Sequence, residues 1–168
     1  MNIFVLSRNV RFCARMHCDQ HVVKMPLETA QLLSTALYSA EPERWAEMNA
    51  QGLAYKPTHA NHPCAIWARE CINNYLWLAR LGLELCAEYS YRYESRVHKS
   101  QAVLEALRAN APALPDKRVI TPFPLARPED CQIPGDPVGS YRRFYLMHKA
   151  RFARWKRREV PEWWRLEK

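Results

Sequence analysis

Glycine is scarce in this chain, 4 in 168 residues, whereas proline is plentiful at 12. An all-β fold needs glycine at its tight turns, so this balance excludes one and points to helices joined by proline-stiffened loops. No apolar run reaches the 18 residues a membrane helix requires. The opening Met1-Asn2-Ile3-Phe4-Val5-Leu6 is a short apolar stretch soon followed by Arg8, so no secretory signal is expected. These absences lead to the expectation of a soluble, cytoplasmic protein without a membrane partner. No Pro/Gly/Ser-rich linker, internal repeat or low-complexity tract divides the chain, and its length suits one domain over 1–168. A CxxC pair is also missing. The six cysteines, at 13, 18, 64, 71, 86 and 131, read as buried free thiols. Zinc is the sharper alternative at Cys13, His17, Cys18 and His21, but their spacing fits none of the usual ligand pairings. No cofactor or metal is expected.

Charge, by contrast, is abundant and lopsided. The net charge is +8, and residues 141–168 hold ten Lys/Arg against three Glu, which is nearly the whole excess. Those cations are interleaved with Tyr141, Phe144, Tyr145, Phe152, Trp155, Trp163 and Trp164. Cations for phosphates and rings for bases make a nucleic-acid signature, with Arg142, Arg143, Lys149, Arg151, Arg154, Trp155 and Lys156 as candidate contacts. The plainer alternative is a solvated helix face over core aromatics.

Apolar periodicity places the helices. A short one is expected over 9–16 and a long amphipathic one over 19–38, with Asp19 as its N-cap. The stretch 41–54 is weakly helical, and 55–63 is a loop ending in a helix start at Asn61-His62-Pro63. The pattern over 63–93 is too long for one straight face, so it is read as two helices with a break within 71–74. There Asn73 and Asn74 either satisfy backbone groups or reach into a pocket. Another helix spans 100–110. Residues 111–137 hold seven of the prolines and form a long extended connection. A terminal helix then runs from 136 to about 157. The fold class that results is all-α, a compact helical bundle with a proline-rich loop before its C-terminal helix.

Within the long helix, spacings of three, four and seven place Gln20, His21, Lys24 and Glu28 on or near one stripe. Cutting an N-glycosidic bond needs a carboxylate beside the cation-like sugar, and an amine or water to capture C1′. It also needs donors that hold the phosphates and the extruded base. Glu28 can supply the carboxylate, and Lys24 or the α-amino group of Met1 the amine. Tyr55, Lys56, His59, Asn61 and His62 form a second candidate group in the loop. Plainer alternatives stand beside these: Glu28 as a glutamate paired with Lys24, and His21 as a packing histidine.

Asp19-Gln20-His21, followed seven positions after the histidine by Glu28, resembles the catalytic helix of the phage-type pyrimidine-dimer DNA glycosylases. Tyr55-Lys56, the Asn61-His62-Pro63 helix start and the run from Tyr75-Leu76 to Glu88-Tyr89-Ser90-Tyr91-Arg92-Tyr93 look like that family's second half. The resemblance covers about the first 100 residues. It implies an all-α DNA glycosylase domain acting on double-stranded DNA as a monomer. Glu28 would be catalytic, Gln20 and His21 would help hold DNA, and the N-terminus would be the amine that attacks C1′; Asn2, beside that amine, is a further candidate DNA contact.

The chain departs from that pattern where Asn2 replaces a small residue exposed by loss of Met. It departs again where Leu27 and Gln31 stand in place of the arginines beside the glutamate. Another damaged or bulky modified pyrimidine, hydroxymethylated or glucosylated as in phage DNA, is therefore the expected substrate. A non-catalytic helical nucleic-acid-binding protein of a phage or defence system is the alternative.

Overall fold

The computed structural model describes residues 1–124, 126 and 128–166. Lys168 and Glu167, counted in the C-terminal charge balance, lie outside the described residues. Among those described there are eight α-helices and no strand. No described helix is long and apolar enough to cross a membrane.

Helix α1 (Val10–Met16) starts at Asn9, whose Oδ1 accepts from the backbone N–H groups of Arg11 and Phe12, as an N-cap should. Helix α2 (Asp19–Ala40) begins where its periodicity predicts, but Cys18 holds the N-cap position and gives no side-chain cap bond. Asp19 is instead the first helical residue. Its carboxylate accepts from the Arg92 guanidinium at 2.9 Å and from the Lys156 backbone N–H at 2.9 Å. The expected cap is thus corrected: the acidic side chain is turned outward to hold two distant segments against the helix start.

Helices α3 (Pro42–Ala50) and α4 (Pro63–Glu70) both open with proline at the first turn, where its missing N–H costs nothing. His62 caps α4 by accepting from the Cys64 N–H through Nδ1 at 3.2 Å. The predicted break falls at Cys71, which is extended, before α5 (Ile72–Arg92). Asn74 is fully buried there, donating to the Trp67 carbonyl and Thr121 hydroxyl and accepting from the Thr121 N–H. Asn73 accepts from the Lys117 N–H. Both asparagines therefore tie the proline-rich connection to the helix break. Helix α6 (Gln101–Ala109) completes the packing around α2 and α5.

Helix α7 (Pro137–His148) ends well short of the expected 157, and α8 (Glu162–Leu166) is a short terminal piece. The early stop has a physical cause. The Arg154 carbonyl accepts from the Asp19 N–H at 2.8 Å, and the Lys156 N–H is held by the Asp19 carboxylate. Both bonds draw the chain off the α7 axis onto the start of α2. All six cysteines are buried and none forms a disulfide, as expected.

Two packing features fix the N-terminus and the middle of α2 in place. Ile3, Phe4, Val5 and Leu6 are all buried, so the first residues thread into the core. Arg142 fastens that thread by donating twice to the Leu6 carbonyl, at 3.1 and 3.0 Å. Gly82 of α5 lies so close to α2 and α6 that a Cβ there would sit 2.8 Å from Thr29 Cγ2 and 2.9 Å from Leu104 Cδ2.

Candidate active site

Glu28 lies on the third turn of α2, at 8 % exposure. A carboxylate this far from water needs partners for its charge. Among the described residues it has two: the Asn2 backbone N–H donates to Oε2 at 3.0 Å, and Lys24 Nζ stands 2.9 Å from Oε1. The Lys24 contact is the one-turn spacing on a helix, and its ammonium remains 66 % exposed. The Asn2 contact reaches back to the molecule's first residues and results from the buried thread of residues 3–6. Backbone geometry then sets the α-amino nitrogen of Met1 no more than about 7 Å from the carboxylate.

Asn2 is itself held at both ends of its side chain. Its amide Nδ2 donates to the Ala126 carbonyl at 2.9 Å, and Oδ1 accepts from the Ile3 N–H at 2.8 Å. The Tyr141 hydroxyl lies 3.0 Å from the same Oδ1 and 2.8 Å from the Pro124 carbonyl. The proline-rich connection thereby braces the N-terminus over Glu28.

The loop supplies His62 and the start of α4 supplies Cys64. Burial, then the terminal amine and His59, hold His62 below the usual histidine range, while Glu28 pulls the other way. Burial pushes the Cys64 thiol up to about 12, so it stays protonated and is no nucleophile. Lys149, just past α7, is held below the usual lysine range by burial and by repulsion from Lys24. Its ammonium rests over the Phe144 ring at 4.7 Å. Three amines, those of Met1, Lys24 and Lys149, and the loop histidine His62 thus gather around the one carboxylate of Glu28.

Not every expected residue joins this group. His21 is 6 % exposed, stacked on Phe4 with ring centroids 4.3 Å apart and hydrogen-bonded through Nδ1 to the Tyr145 hydroxyl. Burial, followed by repulsion from His17, lowers it to about 2, so it is neutral in the core. Trp155 is buried too, donating its indole N–H to the Met16 carbonyl at 2.9 Å. Tyr55 is half-buried and directs its hydroxyl to Ser100. Gln20, Lys56, His59, Asn61, Arg143, Arg151, Arg154 and Lys156 are exposed. Arg142 is half-buried on the Leu6 carbonyl.

Sequence reasoning missed Tyr141 and Tyr145, which reach Asn2 and His21 from α7 across 139 and 124 residues. No local pattern marks such pairs. A separate cavity of about 520 Å³ is lined by Arg8, Trp77, Thr121, Phe123 and Asp136 among others, and contains none of the Glu28 group.

A family model described as pyrimidine dimer DNA glycosylase matches residues 1–101. The matched part holds Met1, Asn2, Lys24, Glu28 and the 55–62 loop, whereas the basic C-terminal segment lies beyond it. Among curated proteins and among solved structures, none matches the chain.

Proposed function

The chain belongs to the pyrimidine dimer DNA glycosylase family, and from that premise we propose that it excises a damaged or bulky modified pyrimidine from double-stranded DNA. The observation that carries the choice of catalytic residue is the buried carboxylate of Glu28, hydrogen-bonded to the Asn2 N–H and paired with Lys24. What sets Glu28 apart from a structural carboxylate is its place beside the chain's first residues, where an amine stands within reach of the same oxygens.

In this reading an extruded nucleotide presents C1′ to Glu28, and the carboxylate stabilises the positive charge that develops on the sugar as the base departs. Water or an amine captures C1′. The amines on hand are Lys24, 2.9 Å from the carboxylate, and the α-amino group of Met1. Capture by water leaves an abasic site directly, while capture by an amine passes through an imine. Gln20, Lys56, His59, Asn61, Arg143, Lys149, Arg151, Arg154 and Lys156 contact DNA. Arg142, His21, Tyr55 and Trp155 support those contacts from beneath, and His62 lies beside the terminal amine. The protein acts as a monomer.

Support for a substrate other than the dimer comes from the surface beside Glu28. Leu27 is exposed there and offers apolar contact where the family resemblance leads one to expect arginine, and Val23, one helical turn before it, is exposed as well. The test is a panel of duplexes carrying pyrimidine dimers, hydroxymethylated pyrimidines or glucosylated pyrimidines. Wild type is expected to leave abasic sites in at least one modified duplex, and Glu28→Gln to be slower by about 10²–10⁴-fold. Borohydride trapping assigns an amine, and abasic sites without trapping assign water. Duplexes left intact by wild type, or cleaved equally by Glu28→Gln, overturn the proposal.

A further inference from the structure

The 3₁₀ turn Glu129–Cys131, inside the proline-rich connection, meets the last residues of α7 at a cluster that the Glu28 chemistry does not use. Asp130, Cys131 and His148 bring one carboxylate oxygen, one sulfur and one ring nitrogen to within 4.8 Å of one another. Cys131 is fully buried, whereas Asp130 and His148 stand at its solvent side. Met147, adjacent to His148, places its thioether sulfur 3.8 Å from Cys131 Sγ.

The spacing within the cluster is informative. His148 Nε2 and Asp130 Oδ2 are 3.5 Å apart. That is longer than a hydrogen bond between these groups, about 2.7–3.2 Å. Zinc bonds of about 2.0–2.1 Å to N and O at tetrahedral angles set those atoms about 3.3 Å apart, and a 2.3 Å bond to sulfur sets it about 3.5 Å from either. The nitrogen and oxygen already stand near the separation an ion would impose. A small rotation of the two exposed side chains closes the remaining distance to the sulfur.

The donor set selects the metal. Thiolate, imidazole and carboxylate together suit a borderline ion, and Mg²⁺ or Ca²⁺ would take oxygen ligands instead. Thiolate and carboxylate carry two negative charges, which Zn²⁺ balances. We propose that Asp130, Cys131 and His148 bind one Zn²⁺ ion that fastens the proline-rich connection to the end of α7, with solvent in the fourth position. Binding drives the Cys131 proton to solvent as the thiolate forms. The same connection carries Pro124 and Ala126, which brace Tyr141 and Asn2. The ion therefore stiffens the wall behind the N-terminus. This inference is independent of which base the protein removes.

The experiment uses the full chain, stripped with chelator, desalted and titrated with Co²⁺ and then Zn²⁺. Wild type is expected to take up one equivalent of Co²⁺ with a thiolate-to-cobalt charge-transfer band and tetrahedral d–d bands, both abolished by Zn²⁺. Cys131→Ser is expected to lose the charge-transfer band. His148→Ala and Asp130→Ala change exposed side chains and so keep the fold by circular dichroism, and each is expected to weaken uptake by at least about tenfold. Zinc is also expected to raise the Tm of wild type and not of His148→Ala. Absence of cobalt bands in wild type overturns the site. So does a band that survives unchanged in Cys131→Ser or His148→Ala, which would assign the metal to other cysteines.

Discussion

His17 and His21 show what burial does to single side chains here. His17 is fully enclosed, with Nδ1 on the Cys13 carbonyl at 2.8 Å and Nε2 without a partner among the described residues. Burial lowers it to about 4, and burial followed by repulsion from His17 lowers His21 to about 2. Both are neutral when folded, while the unfolded chain binds their protons near the ordinary value of about 6.5. Their contribution is therefore fully present above about pH 7 and is lost as pH falls, with a slope approaching about 2.7 kcal/mol per unit between pH 6 and 4 for the pair. The urea midpoint is expected to be flat from pH 8 to 7 and to drop below pH 6, with His17→Gln removing about half of that slope. A His17→Gln profile that superimposes on wild type contradicts the assignment. The step from His21 to Glu28 is legible in the sequence because both lie on one helix. The burial of His21 is not, because Tyr145 and Phe4, which enclose it, come from opposite ends of the chain.

Helices meet most tightly at Gly82. With Thr29 and Leu104 side chains under 3 Å from where its Cβ would be, Gly82→Ala must displace those side chains or push α5 away from α2 or α6. Overpacking costs about 1–3 kcal/mol, against a gain of up to about 1 kcal/mol in helix propensity. The net expectation is a lower Tm. Because Thr29 is the neighbour of Glu28, excision is expected to weaken along with it. A variant as stable and as active as wild type would show that the contact has slack. A second tight point joins α5 to the helix start of α2. Arg92 is wholly buried and donates to Glu88, Asp19 and the His17 and Arg15 carbonyls, while Arg158 donates to both oxygens of Glu88. Burial pushes the Glu88 carboxyl up, and the hydrogen bonds from Arg158 and Arg92 more than offset it. The helices themselves were readable from period and caps. The end of α7 at His148 was not, because Asp19 competes for the backbone that would have continued it.

The molecule as a whole places its excess positive charge in residues 141–168, outside the matched family region. If that segment is the phosphate-contacting surface, affinity for undamaged duplex falls linearly on a log–log salt plot, with a slope of about −0.9 for each phosphate neutralised. Arg151→Ala and Arg154→Ala, both exposed, are each expected to make the slope shallower by about 1, as read by fluorescence anisotropy across a salt series. Unchanged slopes in both would move the DNA surface elsewhere. Arg142→Ala is a different case, because its guanidinium holds the Leu6 carbonyl and its loss loosens the thread that leads to Glu28.

The sequence by itself determined the helices up to α6, a helix break within 71–74, the burial of the thiols and the stripe that carries Lys24 and Glu28. All of these depend on neighbours within one or two turns. Only the tertiary structure decided which side chains face the reaction and which are enclosed. The pairing of Asn2 with Glu28, the bracing of Asn2 by Tyr141, and the cover over His21 join positions 26 to 139 residues apart. Such contacts are fixed by where the buried N-terminal thread and the proline-rich connection cross in the core. Local periodicity carries no record of that crossing.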